Sequence, residues 1–289
     1  MTTPDSTANT HVDDVKNRHI ASFDPIPRPR ELQEEYPADA ARYRTVARGR
    51  AETEAALRGE DDRMVVVVGP CSIHDPELAV EYAQRLQDAA KTHADELIVI
   101  MRTYFEKPRT SLGWKGLIYD PSLDGTSDGA RGLRTARQVL LDVLELDLPC
   151  SVEVLDTITP QYYSDLVSWA AIGARTVESQ VHRQLASGLS MPIGFKNATD
   201  GRVDVAINAL SASISPHAFF GVDEDGVSAI VRTTGNAASH VVLRGGDDGP
   251  NYARENVRSA AKAATEITGH ERPVLVDCSH GNSNKDHRR

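Results

Sequence analysis

The sequence predicts an α/β fold in which parallel strands alternate with covering helices. Two observations carry the prediction. Short apolar runs that do not alternate with polar residues recur along the chain, as suits strands buried on both faces. Between them lie longer stretches with a 3.6-residue apolar period, as suits helices packed on a sheet. The run Met-Val-Val-Val-Val from Met64 to Val68 is the clearest strand, and it stops at Gly69-Pro70. Asp75-Pro76-Glu77 then gives a helix start, with Asp as the cap and Pro in the first turn. Cys71 and His74 therefore lie in the loop at the carboxyl end of a parallel strand, where α/β proteins gather their chemistry.

Taken in order, residues 1–20 are polar and read as disordered. Residues 23–30 hold three prolines and read as an extended linker arm, with contact to a partner subunit as the other use of such an arm. Residues 31–59 are rich in Ala, Glu and Arg and read as one helix with a weak apolar face, an accessory layer outside the core. Strands are predicted at 64–68, 97–103, 149–154, 175–178, 192–196, 241–244 and 273–277. Helices are predicted at 76–94, 129–146, 160–171, 201–213 and 252–268. Residues 219–231 hold two strand-like runs around Asp225-Gly226, the pattern of an inserted hairpin at about 217–234. A doubly wound sheet can stop at seven strands, whereas a closed barrel needs eight. The division expected is an N-terminal arm and helix over 1–59 and a sheet domain over 60–289.

The 289 residues carry a formal net charge of −10, which argues against a nucleic-acid partner. Three cysteines without CxxC spacing, Cys71, Cys150 and Cys278, point to a reducing compartment. No run reaches membrane-spanning length and no signal region opens the chain, so a cytoplasmic location is expected. No GxGxxG or Walker A pattern is present.

Five basic residues, Arg102, Lys107, Arg175, Lys196 and Arg244, fall at or just past predicted strand ends. A cation buried there is costly unless an anion meets it. Either each pairs with an internal acid, with Glu153 and Asp277 available, or several converge on an anionic ligand such as a phosphate or carboxylate. Arg109 and Thr110 lie in the loop just beyond. Cys71 and His280 follow the first and seventh strands and are of a type to bind Zn²⁺, Fe²⁺, Co²⁺ or Mn²⁺, although Cys71 alone also reads as an inert buried thiol. Cys278 reads as core.

Six motifs in order, Gly69-Pro70-Cys71-Ser72-Ile73-His74-Asp75, Arg102 to Thr110, Gly173-Ala174-Arg175-Thr176, Gly194-Phe195-Lys196-Asn197, Leu243-Arg244-Gly245-Gly246 and Asp277-Cys278-Ser279-His280, together resemble class I 3-deoxy-7-phosphoheptulonate (DAHP) synthases. The resemblance runs from about residue 20 onward. It implies a (β/α)8 TIM barrel that lacks its eighth strand and last helices, with an N-terminal extension and an inserted β-hairpin. It implies condensation of phosphoenolpyruvate with erythrose 4-phosphate and water, the first step of the shikimate pathway. By the same resemblance Arg102, Lys107, Glu153, Arg175, Lys196 and Arg244 bind phosphoenolpyruvate. Arg109 and Thr110 bind the sugar phosphate, Lys107 donates a proton, and Cys71 and His280 hold the divalent metal.

The family completes that metal site with a Glu from the eighth strand and an Asp beyond it, and neither motif is found here. The ion is therefore expected to be weakly held, and an impaired homologue that binds phosphoenolpyruvate or regulates another subunit is the alternative reading. The related octulosonate synthases fit the arm and hairpin less well. The resemblance also implies a homo-oligomer and an aromatic amino acid inhibitor beside Pro160, Gln161, Ser190, Gly221 and Val231. Glycine at 221 favours tyrosine, because it leaves room for a hydroxyl, although a turn glycine is the simpler use of that residue.

Overall fold

The computed structural model describes residues 15–286 and 288. Seven strands form one parallel sheet in the order β1 (Met64–Val68), β2 (Leu97–Arg102), β3 (Cys150–Glu153), β4 (Trp169–Ile172), β5 (Ile193–Lys196), β8 (His240–Leu243) and β9 (Leu275–Val276). The remaining two, β6 (Ala218–Val222) and β7 (Ser228–Arg232), make the separate antiparallel hairpin. The sheet is an incomplete (β/α)8 barrel: among the described residues β1 pairs only with β2, and β9 only with β8. Parallel register carries Arg102, Glu153 and Lys196 to one rim, opposite Ser151, Ala171 and Val242 respectively, and Leu243, opposite Val276, brings the residue after it to the same rim.

The helices are α1 (Pro29–Glu35), α2 (Ala40–Leu57), α3 (Pro76–Thr92), α4 (Gly129–Glu145), α5 (Pro160–Tyr163), α6 (Gln180–Ala186), α7 (Asp204–Ser213) and α8 (Arg254–Thr268). As the sequence predicts, Asp75 caps α3 by accepting from the Glu77 and Leu78 amides. A large apolar cluster fills the space between sheet and helices, with α4 contributing Leu133, Val139, Leu140, Val143 and Leu144. A smaller cluster of Ile98, Ile100, Tyr104, Trp169, Ala171 and Val242 fills the barrel interior. There the Trp169 indole donates to His240 Nε2 at 3.1 Å, and burial pulls His240 down to about 4. Neutral His240 then carries its proton on Nδ1, facing the Ala238 carbonyl at 3.1 Å.

Several expectations need correction. The fourth strand is Trp169–Ile172, and 175–178 is a turn. The segment from Leu166 to Ile172 is buried at every residue, so it lacks the polar face that a covering helix needs. The helix expected over 160–171 accordingly ends at Tyr163, followed by a 3-10 turn, Ser164–Leu166. The segment 31–59 is two helices, broken at 36–39 around Pro37, which cannot supply a helix-interior amide. Nor is it peripheral. Leu32, Val46 and Leu57 are buried, and a Cβ on Gly49 would stand 2.7 Å from Pro149 Cβ, so α2 lies against the lower end of the sheet. Helix α6 carries no apolar stripe long enough to be seen in the sequence. Cys278 is exposed, as is Cys71, so neither is a core thiol.

The arm is not a free linker at its inner end. Tyr162 donates to the Pro27 carbonyl at 2.8 Å, and Arg30 pairs with Asp225 of the hairpin turn at 2.7 Å. The disorder expected for 1–20 falls mostly on 1–14, which lie outside the described residues.

Candidate active site

Each basic group at the rim is placed by a strand or by the loop leaving it. Arg102 ends β2; its guanidinium lies 3.8 Å from the centre of the Tyr104 ring and donates to the Cys71 carbonyl at 3.0 Å. Its Nε is buried and has no hydrogen-bond partner among the described residues. Lys107, in the following loop, donates to Cys71 Sγ at 3.3 Å and Ser72 Oγ at 3.4 Å. That loop folds back on itself, with the Lys107 amide donating to the Lys115 carbonyl at 2.8 Å.

Lys196 ends β5, is 5% exposed, and its Nζ lies 2.9 Å from Asp277 Oδ2. Burial opposes its charge, but the Tyr104 hydroxyl, Asp277 and Glu153 outweigh that and hold its pKa above the ordinary lysine value. Burial likewise raises Asp277, but the hydrogen bond from His280 and the Lys196 charge reverse this and leave it far below the carboxylate range. Arg244 follows β8 and donates to the Thr199 and Gly245 carbonyls at 3.2 and 3.1 Å. Burial lowers its pKa, and the nearby Arg175 charge adds to that against the pull of Asp277. Arg175 is exposed, in the turn after β4, and has no ion-pair partner among the described residues. Glu153 ends β3. A Cβ at Gly173 would stand 2.1 Å from its Oε1, so glycine there makes room for the carboxylate.

Of the five cations, then, only Lys196 is matched to a carboxylate among the described residues. Arg102, Lys107 and Arg244 spend their donors on neutral groups, which leaves net positive charge at the rim. A chain of amide side chains holds the rim loops in register. Asn197 Oδ1 accepts from the Arg244 amide and Asn251 Nδ2, and Asn251 Oδ1 accepts from the Gly245 amide. Asn282 ties this to the Leu243 and Asp277 carbonyls. On the open side of the barrel a cavity of ≈ 780 Å³ runs between β1 and β9, and Arg102, Tyr104, Lys196 and Asp277 line it.

The two expected metal donors stand at the same rim. Cys71 is exposed in the loop after β1, and His280 Nδ1 contacts Asp277 Oδ2 at 2.8 Å, which leaves Nε2 as the nitrogen that could face a ligand. Among the described residues no group of three or more His, Cys, Asp or Glu side chains comes together to hold an ion. Two donors of suitable chemistry do not make a closed site.

Arg109 and Thr110 are exposed, with the Arg109 guanidinium packed over Gly113, where a Cβ would meet it at 2.5 Å. At the far end of α5, Gln161 donates to the Val222 carbonyl of the hairpin at 3.0 Å and accepts from Gln33 at 3.3 Å. Pro160 opens α5, and a Cβ on Gly221 would stand 2.9 Å from Val231. Ser190 is exposed in the loop between α6 and β5. Sequence reasoning passed over Glu106, Tyr104 and Asn251. Glu106 lies inside a quoted motif, but nothing local tells that its side chain is buried.

The model of the DAHP synthetase I family matches residues 43–289. The chain is 50% identical over 273 residues to a phospho-2-dehydro-3-deoxyheptonate aldolase of Corynebacterium glutamicum, covering 94% of this chain and 74% of that protein. It is 48% identical over 277 residues to the Tyr-sensitive phospho-2-dehydro-3-deoxyheptonate aldolase of Escherichia coli K12, covering 96% and 77%. A solved phospho-2-dehydro-3-deoxyheptonate aldolase of Francisella tularensis superposes with a TM-score of 0.91 at 48% identity, over 93% of this chain and 79% of that one. The chain thus spans about three quarters of the length of these relatives.

Proposed function

This chain belongs to the DAHP synthetase I family, and we propose that its rim of basic side chains carries the family's reaction. That reaction joins phosphoenolpyruvate, erythrose 4-phosphate and water to give 3-deoxy-D-arabino-heptulosonate 7-phosphate and phosphate. The observation that carries the assignment is the imbalance at the rim: five cations, one matched carboxylate, and a buried Arg102 Nε without a partner. Such charge is stable only beside an anion, and phosphoenolpyruvate brings both a carboxylate and a phosphate.

In this reading Arg102, Lys107, Arg175, Lys196 and Arg244 bind phosphoenolpyruvate, with Glu153 completing the pocket, while Arg109 and Thr110 take the sugar phosphate. C3 of phosphoenolpyruvate bonds to the aldehyde carbon, and the new alkoxide takes a proton from Lys107. The positive charge left at C2 is met by water, and the tetrahedral intermediate then expels phosphate. The fixed cations orient two anionic substrates that would otherwise repel each other. A divalent ion of Mn, Fe, Co or Zn, held by Cys71 and His280, would polarise the aldehyde. We place an aromatic amino acid inhibitor, tyrosine first, beside Pro160, Gln161, Ser190, Gly221 and Val231. Two observations support that placement: Gln161 bridges α5 to the hairpin, and one relative is Tyr-sensitive.

The test is calorimetric titration of phosphoenolpyruvate into the chain and into Lys196→Met. Binding is expected in the parent and lost in the variant, and equal heats in both would remove Lys196 from the site.

A further inference from the structure

Glu106 immediately precedes Lys107 and is 2% exposed. Its side chain points away from the substrate loop and into the loop after β3. Oε1 accepts from the Asp156 amide at 3.2 Å. Oε2 faces three donors, the Leu155 amide at 3.4 Å, Thr159 Oγ1 at 3.2 Å and Tyr163 OH at 3.3 Å. The knot closes on itself: Tyr119, from the far side of the substrate loop, donates to Asp156 Oδ2 at 2.9 Å. So two carboxyl groups and two phenols pin residues 106–119 to residues 155–163. With its oxygens taken up by four donors and its side chain buried, Glu106 does not reach a substrate itself. Whatever it does for the reaction, it does through Lys107, Arg109 and Thr110.

We propose that Glu106 is a positioning residue, a buried clamp that fixes the loop bearing Lys107, Arg109 and Thr110 against the loop after β3 and α5. The proposal rests on the reading of those three residues as substrate-facing. The titratable groups facing Glu106 are Asp156 and Tyr163, with Tyr119 reaching it beside Asp156. Burial first, then the Asp156 charge, pushes Glu106 up to about 7. Below that pH the neutral acid sits beside Asp156 without repulsion. Above it two carboxylates share one buried pocket, and the clamp loosens. Glutamine has the right shape, but where the hydroxyl oxygen of the neutral acid can still accept, the amide puts an NH2 with no acceptor capacity against a cluster of donors.

The experiment is hydrogen exchange of the full chain, expressed as protection factors at pH 6 and pH 8, for the parent and for Glu106→Gln. In the parent, segments 104–118 and 154–163 are expected to lose protection together at the higher pH, while β5 and β8 do not. In the variant both segments are expected to be about tenfold less protected at pH 6 and to show no further response. A second variant, Thr159→Val with Tyr163→Phe, keeps the carboxyl, removes two donors, and is expected to loosen the same two segments. Equal protection in parent and both variants, or the same pH response with and without the carboxyl, would overturn the clamp.

Titration of erythrose 4-phosphate in the presence of saturating phosphoenolpyruvate, with chelator to prevent turnover, separates the two levels. Glu106→Gln is expected to weaken the sugar phosphate about tenfold and leave phosphoenolpyruvate unchanged. A parent with coupled segments that takes up no sugar phosphate would instead overturn the substrate reading of the loop.

Discussion

Replacing Glu106 by glutamine is expected to remove most of a pH dependence of stability. The ordinary carboxyl value is 4.5, and burial beside Asp156 raises the folded value to about 7. For a carboxyl raised on folding, the stabilising contribution is whole below pH 4.5 and lost as pH climbs through 7. In that window the folded state holds a proton that the unfolded state has released, so stability falls by up to about 1.4 kcal/mol per pH unit. The full difference is about 3 kcal/mol, of which roughly 2 to 3 falls between pH 5 and pH 8. The assay is urea unfolding of parent and Glu106→Gln at pH 5, 6, 7 and 8, plotted as the parent-minus-variant difference. In that difference the other titrating groups cancel, and the fixed cost of the misplaced amide is a constant offset that leaves the shape of the curve unchanged. The curve should descend by about 2 to 3 kcal/mol, most steeply between pH 5 and 7, and level off towards pH 8. A level line would show that the four donors keep Glu106 ionised throughout, and that burial is not the dominant influence on it.

Gly173→Ala places a Cβ 2.1 Å from the Glu153 carboxylate. The flexible carboxylate swings aside, so the melting temperature should hold to within a few degrees while phosphoenolpyruvate affinity drops by about tenfold or more. Unchanged affinity by calorimetry would take Glu153 out of the pocket. Cys71→Ala should cost metal before it costs phosphoenolpyruvate contacts, and retained stoichiometric metal by elemental analysis would refute that ligand. Asp165→Ala strips the buried Arg137 guanidinium of its bidentate partner at 2.7 and 2.8 Å. A loss of about 3–5 kcal/mol in urea unfolding is expected, and a loss below 1 kcal/mol would show that the Tyr36 and Tyr162 carbonyls satisfy Arg137 alone.

What the sequence made legible follows from range. Strands β1, β2 and β5 announce themselves because an unbroken apolar run suits a strand covered on both faces. β4 was misplaced because Trp169-Ala170-Ala171-Ile172 carries the same local signal as the buried end of a helix, and only its neighbours β3 and β5 decide. The rim cations were legible for an energetic reason: Lys196 sits in an otherwise apolar strand, a placement that demands an anion. Which anion was not legible. Asp277, 81 residues away, supplies one inside the protein, and nothing in the spacing told it from Glu153. Glu106 was still less visible. Its partners lie 49 to 57 residues further on, and an acid between Phe105 and Lys107 looks like any surface residue. Its role emerges only when the turn after β3 delivers two amides and two hydroxyls to one spot. The cations read from the sequence mark where the chemistry is expected; the acid that the sequence hides holds the loop that presents two of them, Lys107 and Arg109.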